Sequence, residues 1–509
     1  MAASAPTTST TRTAAHRRLG VLAVAFMIIA ASAPLTVVAG GVTSSYAVTG
    51  VAGIPFGYVV LAVALAIFAI GYAAMSRFVT NAGAFYSYVA QGAGRPAGVG
   101  ASILALISYN AMQIGIYGMF GFQVSSFIES KTGWSSPWWL WVFVCIAIVA
   151  VLGVNRVDLS AKVLAVLVAL EFLVVIVFDV AAFVNPAEGL TADPITPSAL
   201  FVPGIGAVLA FGIAAFMGFE SAAIYGEESK DPRRTIPRAT FLAVVVIGVF
   251  YAVSSWALAL AVGPDKITSG GISPDEAGPP LFFDFVAAHL GTLWVDIMSI
   301  LFITSLFAAL VSFHNAVARY AFSLGREGVL PRVLGTVRVR SGAPWAGSLA
   351  QTVIAIVVII AFAIGETGWE PEKGPFPVLT LFTWLTNLGA FGLVLLMALV
   401  SVAVIGFFRR DARDVGAGSR LVAPIIAFVA LAVVWVLILM NWDVLLGQTE
   451  STPTTFILPA IVLVPSIAAV FWALWLRSAR PELYRQIGHG ADEALAPHLG
   501  AEPVGIGAE

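Results

Sequence analysis

The chain has 509 residues, of which 59% are hydrophobic and 11% charged, with a net charge of −2. An ordinary soluble domain carries roughly 25% charged residues, and a mean hydropathy of +0.95 is more than a water-soluble core of this size can hide. A soluble globular enzyme is excluded, and most of the chain faces lipid. The lone cysteine, Cys145, excludes an intramolecular disulfide and any Cys-ligated zinc or iron–sulfur site.

A membrane-crossing helix needs roughly 20 apolar residues. In chain order the sequence predicts twelve such spans: 20–48, 53–76, 97–128, 137–155, 157–184, 202–226, 238–263, 291–324, 345–365, 377–408, 421–440 and 455–476. The apolar runs are continuous rather than alternating, which indicates helices and not barrel strands. The stretch 281–289 is too short to cross and reads as a re-entrant or surface helix. Residues 19–33 imitate a signal peptide, with Arg17 and Arg18 ahead and Ala31-Ser32-Ala33 behind. Pro34 follows directly, however, and the apolar run continues to Val48, so a retained first span is predicted. The tail 1–19 is rich in Ser, Thr and Arg and free of acids, a composition that also suits a transit peptide; a cytoplasmic tail is the reading adopted.

Lys and Arg concentrate on the cytoplasmic side of membrane proteins. With twelve spans and both termini inside, all of the 26 Lys and Arg except Lys131, Lys266 and Lys373 fall in inner segments. An error of one span would scramble this partition. A multi-pass plasma-membrane protein with cytoplasmic termini is therefore predicted, as a monomer or a homodimer, with 477–509 as a second cytoplasmic tail.

None of the five lysines follows a glycine, so no phosphate-binding loop of a nucleotide-driven pump is present. The five histidines (His16, His289, His314, His489 and His498) form no close metal-binding pair. No metal, cofactor or nucleic-acid partner is expected. A secondary carrier or a channel remains, since either needs only a polar path. Two spans are interrupted: the first at Ala30-Ala31-Ser32-Ala33-Pro34, the sixth at Phe216-Met217-Gly218-Phe219-Glu220-Ser221. Proline removes a helical donor and frees carbonyls. Interruptions five spans apart occupy matching positions of a five-plus-five repeat, 20–184 and 202–408, with 421–476 as two added helices. Discontinuous helices in corresponding positions point to a carrier's binding site.

The run FMGFESAAIYGEESKDPRRTIPRAT in the sixth span resembles the amino acid–polyamine–organocation permeases. Its features are Gly218-Phe219-Glu220, the acidic pair Glu227-Glu228, Asp231-Pro232-Arg233 and Ile236-Pro237-Arg238-Ala239. NAGAFYSYVAQGAGRPAG (81–98) resembles the family's first inner loop, and ARYAFSLGREGVLP (318–331) the end of its eighth helix. The resemblance covers about residues 20–480. It implies an all-α, leucine-transporter-type fold and cation-coupled movement of amino acids or amines, by symport or exchange. A putrescine-like polyamine substrate, or a non-transporting sensor or channel, is the alternative. The first span departs from the family: Ala-Ser-Ala-Pro stands where Gly-Ser/Ala-Gly is usual, which weakens the expectation of carboxylate recognition there.

The substrate-binding candidates are Ser32, Ala33, Asn110, Gln113, Phe216, Gly218 and Glu220. Asn110 and Gln113 share a helical face, and the resemblance places pocket residues in their stretch. Phe219, Trp384, Thr386 and Asn387 are weaker candidates. His314 and Asp296, read at membrane depth, suit interhelical hydrogen bonding. For ion coupling the candidates are Glu171, Glu220, Thr304 and Ser305. Glu171 falls at the middle of the fifth span, where an acid needs a partner or a proton. The resembling permeases can carry a lysine near this point, at a sodium position. An acid there suits a proton, with sodium held by Glu171 and Thr304 or Ser305 as the alternative.

Overall fold

The apolar runs become helices because, without water, each backbone N–H and C=O must be satisfied within its own segment. This computed structural model describes residues 20–79, 84–155, 161–219, 229, 231–338, 342–448 and 450–488. The first span is α1 (Val21–Ser32), α2 (Pro34–Thr36), a π-helical turn Val37–Val42 and α3 (Thr43–Thr49). There follow α4 (Ile54–Ser76), the short α5 (Ala84–Gly92), α6 (Arg95–Thr132), α7 (Trp138–Asn155) and α8 (Ala161–Val184). Next come α9 (Pro197–Leu200), α10 (Ile205–Phe216), α11 (Pro232–Val262), α12 (Pro264–Thr268), α13 (Pro280–His289) and α14 (Thr292–Arg326). The rest is α15 (Trp345–Gly365), a π-helical turn Pro377–Phe382 leading into α16 (Thr383–Arg410), α17 (Ala423–Met440), α18 (Trp442–Leu445), α19 (Pro453–Ala479) and α20 (Pro481–Gln486).

Eleven helices among the described residues are long and apolar enough to cross a membrane. The twelfth expected span, 202–226, is represented by α10, which is too short to cross; 220–228 lie outside the described residues. The short stretch at 281–289 is the ten-residue α13.

The 38-residue α6 is the central strut, packed on α5, α7, α14, α16 and α19. Small residues let it approach its neighbours: a Cβ at Gly118 would lie 2.6 Å from the Pro377 carbonyl oxygen. It ends where Gly133 turns left-handed (φ 71) and returns its N–H to Glu129, a cap that glycine adopts without strain. The outward faces of α15, α17 and α19 remain apolar, with Val353, Val357, Val429, Val433, Ile461 and Phe471 all exposed. Lipid is the solvent such faces require. Asp296 lies four residues into α14 and forms an interhelical ion pair with Lys131, at the end of α6, at 2.5 Å.

Candidate substrate and ion-coupling site

The first span breaks at Ala33, a non-glycine residue in the left-handed region (φ 48, ψ 73). Such a conformation is held only where the surroundings impose it. Pro34 restarts the helix without an N–H to give. The Ala33 N–H turns back to Ala30, so the Leu35 N–H is the first donor of the new segment to face outward.

That donor meets Glu171. Glu171 Oε2, on α8, accepts the Leu35 N–H at 3.1 Å and the Ser305 Oγ–H at 2.9 Å. Ser305, on α14, in turn accepts a hydrogen bond from Thr36 Oγ1 at 3.0 Å. The hydroxyls thus point in series from the helix break to one carboxylate oxygen, and bonds in such a chain strengthen one another. Glu171, Ser305 and Thr36 are all buried. No described cationic side chain pairs with Glu171, so its negative charge rests on neutral donors alone.

Beside this junction lies a cavity of about 50 Å³, room for a few waters. Ala31, Ser32, Ala33 and Thr36 contribute from the break, Met112 and Ile116 from α6, Phe211, Ala214, Ala215 and Met217 from α10, Ala309 and Phe313 from α14, and Phe382 and Thr386 from the α16 region. The lining is apolar apart from Ser32, Thr36 and Thr386. The end of α10 closes against the break. Gly218 sits at φ 109, and a Cβ there would lie 2.9 Å from the Ala31 side chain. Glycine alone suits both the conformation and the contact. On the far side of the break, Tyr251 Oη donates to Ser32 Oγ at 3.1 Å.

The predicted residues divide. Ser32 and Ala33 line the cavity, Gly218 seals its edge, and Glu171 and Ser305 meet. Glu220 lies outside the described residues. Phe216 and Phe219 are fully buried in aromatic packing with Tyr58 and Phe68 and do not line the cavity. Asn110 and Gln113 share a face, as their spacing requires, but it is not the cavity face: α6 turns Met112 and Ile116 there instead. The Asn110 amide returns to the Leu106 carbonyl. Gln113 belongs to a buried polar network with Gln351, Tyr117 and His314, whose other ring nitrogen is 2.7 Å from Ser348 Oγ. Thr304 bonds to its own helix at Leu301, while Ser305 takes the Glu171 side. Thr386 lines the cavity and Trp384 and Asn387 do not.

Sequence reading missed Thr36 and the apolar lining of Met112, Phe211 and Phe313. Ser305, Ala309 and Phe313 recur every four residues and so share one face. That periodicity was the available signal, and it is hidden in a helix apolar all round.

A broken first span meeting the end of α10 at a cavity, inside a bundle of apolar helices, is the arrangement of a secondary membrane transporter and not of an enzyme. Residues 19–466 match the family described as amino acid permease, and the chain belongs to that family. Among curated relatives, it is 24% identical over 423 residues to the low-affinity putrescine importer PlaP of Escherichia coli (strain K12), covering 80% of this chain and 85% of that one. It is 23% identical to the branched-chain amino acid permease BcaP of Lactococcus lactis subsp. cremoris (strain MG1363), covering 71% and 76%. A crystal structure of MhsT in complex with L-phenylalanine superposes with a TM-score of 0.56 at 16% identity, over 81% of this chain and 98% of that one. The fold is therefore of the leucine-transporter type, in a multi-pass membrane protein.

Proposed function

We propose that this transporter is driven by protons and moves amino acids or related amines by alternating access across the plasma membrane, with both termini cytoplasmic. The observation that carries the reading is the junction at Glu171. One buried carboxyl holds the first donor of the broken helix and a hydroxyl of α14 together. A proton on that carboxyl weakens its acceptance of both bonds, so loading and unloading it favour different relations between the break and α14. A coupling device needs such a difference.

Substrate chemistry follows from the break. The C-terminal carbonyls of α1 favour an ammonium, as helix C-termini do. The apolar lining supports a substrate with an apolar body. An amine without a carboxylate is a second reading favoured by one feature: Pro34 has no N–H and Leu35 gives its own to Glu171, so the break offers a carboxylate few donors. The sequence similarity to a putrescine importer and to a branched-chain amino acid permease supports either class.

Proteoliposomes test both points. Counterflow measured with radiolabelled leucine and with radiolabelled putrescine identifies the substrate class. With the class identified, Glu171→Gln is expected to abolish accumulation driven by a proton gradient while exchange persists. Accumulation by the variant with an unchanged pH profile would overturn the proton reading, and dependence on a sodium gradient would replace it.

A further inference from the structure

A second acid is buried on α8, eight residues beyond Glu171 and five short of the helix end at Val184. Asp179 is 6% exposed. Its Oδ2 accepts the Ser254 Oγ–H from α11 at 2.8 Å. Its Oδ1 is buried and has no partner among the described residues. The neighbouring Phe178 packs against Phe282 of α13, with ring centroids 4.3 Å apart and the planes tilted by 31°. A carboxylate here without a cation is costly, and packing alone gives no reason for an acid.

The titratable groups on the surrounding elements are engaged elsewhere or stand apart. On α11, Tyr251 bonds to Ser32. On α14, Asp296 is tied to Lys131 and His314 to Gln113 and Ser348. On α13, His289 stacks on Phe285, and Asp284 makes no described bond to Asp179. The segments α1 and α2 carry no ionisable side chain.

From Asp179 a polar seam runs inward through apolar surroundings. Ser254 and Tyr251 are three residues apart on α11 and so share a face. Tyr251 reaches Ser32 in the break, and three residues on, Leu35 faces Glu171. Along α8 the two acids are separated by about 12 Å of helical rise. That distance is too long for direct transfer, so a proton passing between the acids needs intermediate carriers.

We infer that Asp179 is a second proton-carrying residue of the transport cycle. It takes a proton from water at the α8 C-terminal end, the outer face in the proposed orientation, and relays it to Glu171. The inference rests on the proton-coupled reading of Glu171. Hydronium gives its proton to the Asp179 carboxylate and becomes water. The acid then passes the proton through water and the Ser254, Tyr251 and Ser32 hydroxyls to the Glu171 carboxylate, leaving Asp179 as an anion ready to reload. Only O–H bonds form and break.

The test uses the full chain in proteoliposomes containing a pH-reporting dye, with leucine or putrescine, whichever shows counterflow, as probe. Asp179→Asn is expected to slow substrate-induced proton entry at least about tenfold and to lower the maximal rate of accumulation, leaving counterflow and substrate KM unchanged. Asp179→Glu should restore proton entry. Ser254→Ala, which keeps the acid, should give a smaller loss in the same direction. Proton entry unchanged in Asp179→Asn, while Glu171→Gln has lost accumulation, overturns the relay and leaves the coupling site standing. A normal Glu171→Gln overturns the coupling site and removes the relay's destination. Loss of counterflow in both Asp179→Asn and Asp179→Glu assigns Asp179 a structural role and also overturns the relay.

Discussion

Glu171 and Leu35 stand 136 residues apart in the chain, and a single hydrogen bond of 3.1 Å joins the carboxylate of one to the main-chain N–H of the other. The break at Ala33-Pro34 leaves that N–H without a helical acceptor, and the buried acid on α8 supplies one. Helix rupture and buried charge thus compensate each other, and neither is stable at this depth alone.

The second donor to Glu171 is separable from the first. Ser305→Ala removes a hydroxyl and leaves the Leu35 contact in place. A hydrogen bond to a charged group contributes about 1.5–3 kcal/mol. Accumulation driven by a proton gradient should fall roughly tenfold or more, with counterflow retained, as measured by tracer uptake into proteoliposomes. Ser305→Thr, which keeps the hydroxyl, should retain most of it.

Gly218→Val tests the contact between the broken first span and the end of α10. The added side chain meets Ala31 at van der Waals overlap in a backbone conformation that suits glycine, and strain of about 1–3 kcal/mol is expected from the backbone alone. Substrate-induced thermal stabilisation should disappear, although the protein still inserts and purifies. Retained stabilisation at wild-type substrate concentrations would show that the break tolerates a side chain.

Ala309→Leu narrows the cavity from the α14 face. A branched four-carbon side chain in a space of about 50 Å³ leaves little room for the apolar body of a substrate. Affinity for bulky substrates should drop at least about tenfold, with small ones less affected, since a single methylene is worth about 1–3 kcal/mol in such a pocket. Competition against a labelled small substrate reads this out.

Topology can be mapped on a background in which Cys145, a buried residue, is replaced. Gly368 and Gly416 have open space where a Cβ would stand and no left-handed backbone, so a cysteine is tolerated at both. Gly368→Cys should react with an impermeant maleimide in intact cells, and Gly416→Cys only after the membrane is opened. The reverse pattern would invert the proposed orientation.

One pH effect belongs to the loop between α12 and α13. Burial alone would raise the Glu276 carboxyl, but hydrogen bonds from Lys266 and Ser273 outweigh it and hold the group below its ordinary value of 4.5. Its Oε1 lies 2.7 Å from Lys266 Nζ. A depressed native value contributes stability above the unfolded value and loses it as pH falls through the native one. The loop should therefore loosen under acid conditions below that range. Both side chains are about one-third exposed, so at most about 1 kcal/mol is involved. Hydrogen exchange of residues 264–277 compared between near-neutral and acid pH should show the change in wild type and not in Glu276→Gln.

Much of this protein is legible from composition. Apolar runs of sufficient length must be membrane helices, because only a helix satisfies its backbone within lipid, and this placed the long helices to within about four residues, except that α11 starts six residues earlier than expected. Pro34 marked the break in the first span and Gly218 the end of α10, since each changes what the backbone can do locally. The motif around Gly218 carried the family, and the depth of Glu171 followed from counting. What the sequence left open is rotational. A helix that is apolar all round gives no sign of which face meets substrate, so Asn110 and Gln113 stood out for their polarity while α6 turns Met112 and Ile116 to the cavity. The partners of Glu171 were open for the same reason. Leu35 contributes through its backbone, which no side-chain pattern reveals, and Ser305 rather than Thr304 faces the acid only because of how α14 is rotated against α8. Hydrophobicity decides what enters the membrane, and the packing of one helix on another decides which residues meet inside it.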